Sequence, residues 1–447
     1  MSDHMSGPST GGQPINPSSP HVVVLGGGLA GVACAHRLGD EGVRVSLTDR
    51  NDYHQFQPLL YQVATSQLPA EDIARPHRSI FREHPTVSLC PGEVVAIDPS
   101  ACRLTLADGE TLSGSHLVIA AGARPEYFGV PGAAHHAFPL YCVADAERLR
   151  LHLQGLLQVA AGQSPDAAPL QIVVVGGGPT GVETAGALAE LLAALAATGR
   201  LPSGWKVILV DRGANVLAPF SERSHTYAHA KLANDGVELR LHSGVAAVHG
   251  DRVELSDGDA IDTTTVIWAG GESASAVLGS AGLPTGRGGR VSVKRDLSVQ
   301  GLQRVYAVGD AANIPAPDGS VLPQLGSVAQ QAGGWAAENI LRQLRGDPPE
   351  AFRYKDKGIM AMIGRNAAVA EVGSHRHQVE GPLAFAAWLG VHAMLLSGAH
   401  SRADAFMSWA WDYFDRDHPA MVEASATPAR IAWGDEIADR PNIVVSR

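Results

Sequence analysis

The chain is expected to be an α/β protein built on two doubly wound parallel sheets, the second inserted within the first. Three observations carry that expectation. An apolar strand breaks into a Gly-x-Gly-x-x-Gly turn at Gly26, the same pattern returns 150 residues later at Gly176, and a late strand closes on Gly309-Asp310. A strand, a glycine turn and a helix in that order make the Rossmann-like unit, in which backbone N–H groups at the helix start receive a pyrophosphate.

The first unit begins His21-Val-Val-Val-Leu-Gly26-Gly27-Gly28-Leu29-Ala30-Gly31. Gly26 suits the tight turn, Gly28 the close approach of backbone to phosphate, and Gly31 the packing of helix on strand. A second apolar strand, Val43 to Asp49, ends in a carboxylate 18 residues after Gly31, close to the offset expected of a ribose-hydroxyl acceptor.

The second unit reads Gln171-Ile-Val-Val-Val-Gly176-Gly177-Gly178-Pro179-Thr180-Gly181-Val-Glu183, and 9 of 18 aligned positions match the first. Its next strand, Lys206 to Asp211, again ends in an acid. Two such units imply two dinucleotides. Asp211 would repel a ribose 2′-phosphate, which favours NADH over NADPH, with Arg212 beside it as the opposing influence. Two related strand-and-glycine segments, Leu117-Val-Ile-Ala-Ala121-Gly122 and Val266-Ile-Trp-Ala-Gly270-Gly271, lie between the turns and Arg304-Val-Tyr-Ala-Val-Gly309-Asp310.

Composition excludes several other classes. The 447 residues are 45% hydrophobic and 18% charged, enough to bury a core in two or three domains. A net charge of -11 without a basic run argues against nucleic acid. The four cysteines, at 34, 90, 102 and 142, form no C-x-x-C or metal-type cluster, so no metal site and no vicinal dithiol are expected. Residues 1–20 hold 12 Gly, Ser or Pro and no apolar run, which reads as a disordered tail rather than an export signal, and so as a cytoplasmic protein.

These segments together resemble the two-dinucleotide-binding flavoprotein superfamily. The resemblance implies FAD on the first unit and NADH on the second, with Asp310 contacting the ribityl chain of the flavin. It assigns cofactor contacts to Gly26, Gly28, Leu29, Ala30, Gly31, Asp49, Arg50, Gln57, Ala121, Gly122, Gly309 and Asp310, and to Gly176, Gly178, Pro179, Thr180, Gly181, Asp211 and Gly270. Members that shuttle electrons through a cysteine pair or a single active-site cysteine are excluded, because neither arrangement is present. Electrons should leave the flavin directly for quinone, oxygen or a protein acceptor.

Three longer stretches look like the type II NADH dehydrogenase (NADH:quinone oxidoreductase) family: Tyr53 to Thr65, Gly177 to Glu190, and Tyr354-Lys355-Asp356-Lys357-Gly358 onward to Ala370, followed by Trp388 to His392 and Trp409 to Phe414. The resemblance covers residues 21–414 and places two of the five lysines in its most specific stretch. It implies that Glu183 faces the nicotinamide and flavin, in a role of binding NADH or handling protons. The other reading of Glu183 is an acid in the first turn of its helix, favoured by the dipole alone. The resemblance also implies Gln331 as the later glutamine of the quinone site, although Gly326-Ser327 stands where an Ala-Gln pair is typical and Gln330 and Gln331 also read as helix-surface residues.

The resulting organisation is a FAD-binding domain at 21–140 and 271–350, an NADH-binding domain at 141–270, and a C-terminal α/β module with amphipathic helices at 351–447. Residues 383–414 carry seven of the 24 aromatics but one cation, Arg402. The apolar run from Leu383 to Leu396 is too short to span a bilayer. It suits contact with a membrane surface, peripherally on the inner face, in competition with packing against the body or a second subunit as a homodimer. The expected function is hydride transfer from NADH to FAD and two-electron release to a quinone. The alternatives are a soluble NADH oxidase or diaphorase, and an NADH-responsive flavoprotein with a binding role.

Overall fold

The computed structural model describes residues 20–202, 204–373, 375–395 and 409. Residues 1–19 of the tail expected at 1–20, and most of the aromatic stretch after Leu395, including Phe406, Trp411, Tyr413 and Phe414, lie outside the described residues.

In chain order the strands that organise the first half are β1 (His21–Leu25), β2 (Arg44–Thr48), β3 (Val87–Leu89), β4 (His116–Ile119) and β5 (Ala123–Pro125). There follow β6 (Ala137–Pro139), β7 (Leu170–Val175), β8 (Trp205–Val210), β9 (Val237–Arg240), β10 (Val266–Trp268), β11 (Glu272–Ala274) and β12 (Val305–Ala307). The first sheet has the order β12-β4-β1-β2-β3 and the second the order β6-β10-β7-β8-β9. Both are parallel throughout. In each sheet the strand leading into the glycine turn is central, flanked by the acid-bearing strand on one side (Val24 opposite Leu47; Val174 opposite Leu209). On its other side lies the strand that ends in Ala-Gly (Val24 opposite Val118; Val174 opposite Ile267).

Burial explains the composition of these strands. Val22, Val23, Val24, Ile172, Val173 and Val174 are all fully buried, as expected of parallel strands covered on both faces, which read as continuous β-branched runs rather than alternating patterns. Every strand of the second sheet falls between β4 and β12 of the first, so the second unit is an insertion. The two crossings lie side by side as an antiparallel ribbon in which β5 pairs with β11, Ala123 opposite Ala274. Strand β6 at 137–139 already belongs to the second sheet, a few residues ahead of the boundary expected at 140.

The helices that position the site are α1 (Leu29–Asp40), α2 (Leu60–Ala64), α3 (Val143–Ala161), α4 (Pro179–Ala197), α5 (Glu222–Asn234), α6 (Gly326–Arg345) and α7 (Pro382–Leu395). Helix α1 lies against α6 with backbones nearly touching: a Cβ on Gly333 would run into the carbonyl of Ala30. Helix α4 is long and apolar enough to cross a membrane. Its residues from Gly181 to Ala189 are nevertheless buried without interruption, and they serve as the core of the inserted unit.

Three antiparallel strands, β13 (Gly358–Gly364), β14 (Ala367–Val372) and β15 (His377–Gly381), form the C-terminal sheet and lead into α7. This sheet closes over α4: a Cβ on Gly186 would collide with the carbonyl of Ile363. Helix α7 buries Ala384, Trp388 and His392, four residues apart along one stripe, and exposes Leu383, Val391, Met394 and Leu395. It is therefore apolar on both faces rather than amphipathic, having no charged residue from Pro382 to Leu395.

Candidate cofactor and acceptor site

The two glycine turns share one construction. Gly26 and Gly176 have φ of 101° and 111°, and a Cβ on either would strike a carbonyl of the neighbouring strand, Ala120 or Ala269. A Cβ on Gly31 or Gly181 would strike the carbonyl of Gly26 or Gly176, so each helix is seated directly on its own turn. At Gly28 and Gly178 the space is open. These two residues are the N-caps of α1 and α4; neither has a side-chain cap, and neither first turn contains an acid. Uncapped N–H groups facing open space at a helix N-terminus are an anion site, and the residues fit the phosphates of two dinucleotides.

The acids after the second strands sit where the spacing implies. Asp49 Oδ2 accepts the N–H of Gly27 at 2.6 Å and its Oδ1 that of Asn51 at 2.8 Å. Asp211 Oδ2 accepts the N–H of Gly177 at 2.6 Å and its Oδ1 that of Gly213 at 2.6 Å. Each carboxylate thus fixes the middle glycine of its turn, and each oxygen keeps a lone pair for a ribose hydroxyl. Arg212 does not reach back to Asp211 in these bonds; its guanidinium lies over the Phe128 ring, 5.2 Å from the centroid. Arg50, Pro179 and Thr180 are exposed beside their turns, Ala30 is buried, and Leu29 is half-buried.

Two histidines complete the first turn and were not anticipated in that role. His77 Nε2 and His54 Nδ1 both contact the carbonyl of Gly27, at 3.0 and 3.1 Å, and both side chains are buried. Burial lowers the pKa of His54, and its Nδ1 donates to the Gly27 carbonyl in the tautomer that carries the proton there. His54 lies inside the Tyr53–Thr65 stretch, whereas nothing near His77 signalled it.

Gly309, with φ of 64°, packs against Ala30 and Ala329 and brings Asp310 to the first unit. Burial raises the pKa of Asp310, and Arg290 opposes that rise. Glu272, on the returning ribbon strand, keeps an exposed edge, and the surrounding chain and then the charge of Asp310 push its carboxyl up. Two carboxyls within electrostatic reach of one another suit hydroxyl donors, as on a polyol or ribose chain. Gln57 lies beside the hydroxyl of Tyr141, which accepts the N–H of Ala123 at 2.9 Å, bringing that stretch next to Ala121-Gly122.

Glu183 is the fifth residue of α4, one turn deeper than the helix start, so the reading as a first-turn acid does not hold. Its Oε1 accepts the backbone N–H of Met362 at 3.1 Å and the indole N–H of Trp388 at 3.2 Å. Burial pushes the Glu183 carboxyl up to about 8 against these two hydrogen bonds. Trp388 stacks on His392 at 3.9 Å, and burial takes His392 down to about 4. On the same side the Tyr61 hydroxyl meets Met362 Sδ at 3.2 Å, Gln62 donates to that hydroxyl at 3.0 Å, and Trp409 donates to Gln62 at 2.8 Å. Every stretch that carried the sequence resemblance therefore supplies a residue around Glu183.

Gln331 is placed differently. Its amide pairs both ways with the backbone of Lys355, donating to the carbonyl at 3.2 Å and accepting the N–H at 3.0 Å. Ser327, one turn earlier, meets the Tyr354 hydroxyl at 2.9 Å. Glu183 and Gln331 thus hold the two ends of one segment, at Met362 and Lys355, and do not bond each other. Gln330 is exposed. All four cysteines are free thiols, and burial pushes Cys34 up to about 12, an inert packing residue.

Comparison with known proteins shows the family. The pyridine nucleotide-disulphide oxidoreductase family matches residues 20–333. The type II NADH:quinone oxidoreductase NdhA of Mycobacterium tuberculosis is 35% identical over 438 residues, covering 93% of this chain and 92% of the relative. That of Staphylococcus aureus is 31% identical over 371 residues, covering 78% and 89%. In fold, the chain resembles NDH2 of Plasmodium falciparum, solved in complex with NADH, with a TM-score of 0.81 at 17% identity over 89% of this chain and 99% of that one. The chain belongs to the type II NADH:quinone oxidoreductase family, within the pyridine nucleotide-disulphide oxidoreductases.

Proposed function

We infer that this protein oxidises NADH through FAD and passes two electrons to a quinone, with no redox disulfide. The observation that carries the reading is Glu183: a buried carboxyl set between the nicotinamide-type helix α4 and the C-terminal sheet, bonded to Met362 and Trp388. The first turn, with Asp49 and Asp310, suits FAD, and the second, with Asp211, suits NADH. Bound FAD supplies two-electron chemistry, accepting hydride and releasing electrons. The chain's own part is to orient and to manage protons. A carboxyl near 8 is protonated at neutral pH, so Glu183 holds a proton that quinone reduction consumes. Gln331 orders Lys355 at the far end of the same segment and, in this reading, borders the acceptor's path.

The exposed apolar side of α7 supports peripheral attachment to a membrane, on the inner face, where a quinone is available. A second copy of the chain is the competing occupant of that face. Asp211 supports a preference for NADH over NADPH.

Anaerobic NADH titration followed by acceptor profiling tests the function. NADH should bleach the flavin absorbance, and a menaquinone analogue should be reduced faster than ferricyanide or oxygen. Glu183→Gln should still be bleached by NADH while losing about 100-fold in quinone turnover, the lower range for a lost proton-transfer group. Quinone rates no faster than oxygen rates would overturn the reading in favour of a soluble oxidase or diaphorase.

A further inference from the structure

Helix α1 carries His36 and Asp40 four residues apart, so both side chains lie on one face at its C-terminal end. Facing them is His84, from the turn that follows the short helix His77–Ile80. Asp40 bridges the two rings: its Oδ2 is 3.3 Å from His36 Nδ1 and its Oδ1 is 2.9 Å from His84 Nε2. The imidazole centroids are 4.3 Å apart, and one ligand atom from each of the three groups lies within 4.8 Å of the others.

The fold holds the His84 side of the cluster in place, while His36 and Asp40 are exposed on α1. The turn around His84 is fixed by its N–H to the Phe81 carbonyl and by the Val87 N–H to its own carbonyl, both at 3.0 Å, with Phe81 and Val87 in the core. Gly39 is what admits the His84 ring, since a Cβ there would lie 2.9 Å from His84 Cδ2. The neighbouring cation, Arg37, is already neutralised by Glu41 at 2.6 Å and Glu338 at 2.9 Å. His36 and Asp40 also border a cleft of about 310 Å³ that Arg37, His54, Gln330 and Leu395 help to line.

We propose that His36, Asp40 and His84 form a binding site for a divalent transition-metal ion of the zinc type, with its remaining coordination position open to this cleft. Two imidazoles and one carboxylate are the donors that zinc and its late first-row neighbours select, whereas magnesium and calcium take oxygen ligands. Seating the cation at the C-terminal end of α1 also agrees with the helix dipole. Spacing along the chain pointed to no metal site because His84 lies 44 residues beyond Asp40 and only the fold brings them together. Nδ1 of His84 is buried with no hydrogen-bond partner among the described residues. The site therefore lacks one outer-shell support, which places it below closed structural zinc sites in affinity. An ion there would pin the end of α1, which starts at the first glycine turn, to residues 81–87.

Calorimetric titration of the chelator-treated, full-length, flavin-loaded protein, free of any affinity tag, with Zn²⁺ tests the proposal. Co²⁺ absorption serves as an independent probe of a nitrogen-and-oxygen site. One ion per chain is expected. Each of His36→Gln, Asp40→Asn and His84→Gln should weaken binding by at least the ~10–100-fold that an outer-shell loss costs a metal site. His377→Gln, at the separate His375–His377 pair, should leave it unchanged. His36 and Asp40 are exposed, so those two variants carry the test if His84→Gln does not fold. Absence of one-to-one binding, or binding that survives in His36→Gln and Asp40→Asn, would overturn the site.

Discussion

Trp388 donates its indole N–H to Glu183 across 205 residues of sequence, at 3.2 Å, in a region closed to solvent. The carboxyl it meets is held up to about 8, chiefly by burial. In the unfolded chain the same group ionises at about 4.3. Between those two values the unfolded state loses its proton first, so the group subtracts from stability as pH rises from about 4.3 towards 8, and the loss levels off above. Glu183→Gln keeps an oxygen for both donors and cannot ionise. Its melting temperature in the flavin-loaded protein should exceed the wild type at pH 8 and converge with it near pH 5. A difference that does not change with pH would show that the native carboxyl is not kept protonated.

How far this site could be read from the sequence follows from distance along the chain. The glycine turns and their acids were legible because each is written within a few tens of residues: a left-handed glycine, an open N-cap and a carboxylate one strand later. Glu183 was legible as a residue but not as an environment, since Met362 and Trp388 lie 179 and 205 positions away. His77 was invisible for the same reason, standing 50 residues from the carbonyl it contacts. Gly186 sits in the dinucleotide helix, but its lack of a side chain answers to Ile363 of the C-terminal sheet. The expectation of amphipathic helices does not hold at α7, which has core residues on one side and exposed apolar residues on the other and so shows no polar face.

The assignment of one dinucleotide to each turn can be separated by two substitutions of the same kind. Gly31→Ala and Gly181→Ala each drive a Cβ into a turn carbonyl that cannot retreat. Gly31→Ala should purify with little flavin, read from the ratio of flavin to protein absorbance. Gly181→Ala should keep its flavin and raise KM for NADH by about 10-fold or more, the consequence of a few tenths of an ångström to an ångström of misplacement at a binding turn. Flavin loss from Gly181→Ala alone would reverse the assignment.

Nucleotide preference should rest on Asp211. Its carboxylate is tied to Gly177 and Gly213 and is aimed by those bonds rather than free to swing away from a 2′-phosphate. Asp211→Asn retains an acceptor oxygen and removes the negative charge. The ratio of kcat/KM for NADPH to that for NADH should rise by about 10–100-fold, the lower part of the several kcal/mol that like charges cost at a binding surface. An unchanged ratio would move discrimination to Arg212 and Phe128.

Attachment to a membrane should depend on two residues of α7. Leu383 and Met394 are 71% and 73% exposed and stand eleven residues apart, three helical turns, on the face opposite Trp388. Burying side chains of this size in hydrocarbon is worth about 1.5–3 kcal/mol each, so Leu383→Ser with Met394→Ser should weaken sedimentation with vesicles by at least 10-fold. The chain carries a net charge of -11, and α7 has no cation. Attachment should therefore be apolar in origin, as strong on zwitterionic as on anionic vesicles, and little affected by salt. Reduction of ferricyanide, a water-soluble acceptor, serves as the control for an intact flavin site. If the face instead joins two copies of the chain, the double variant would change the mass in solution and leave vesicle binding as it was, which would refute the membrane reading.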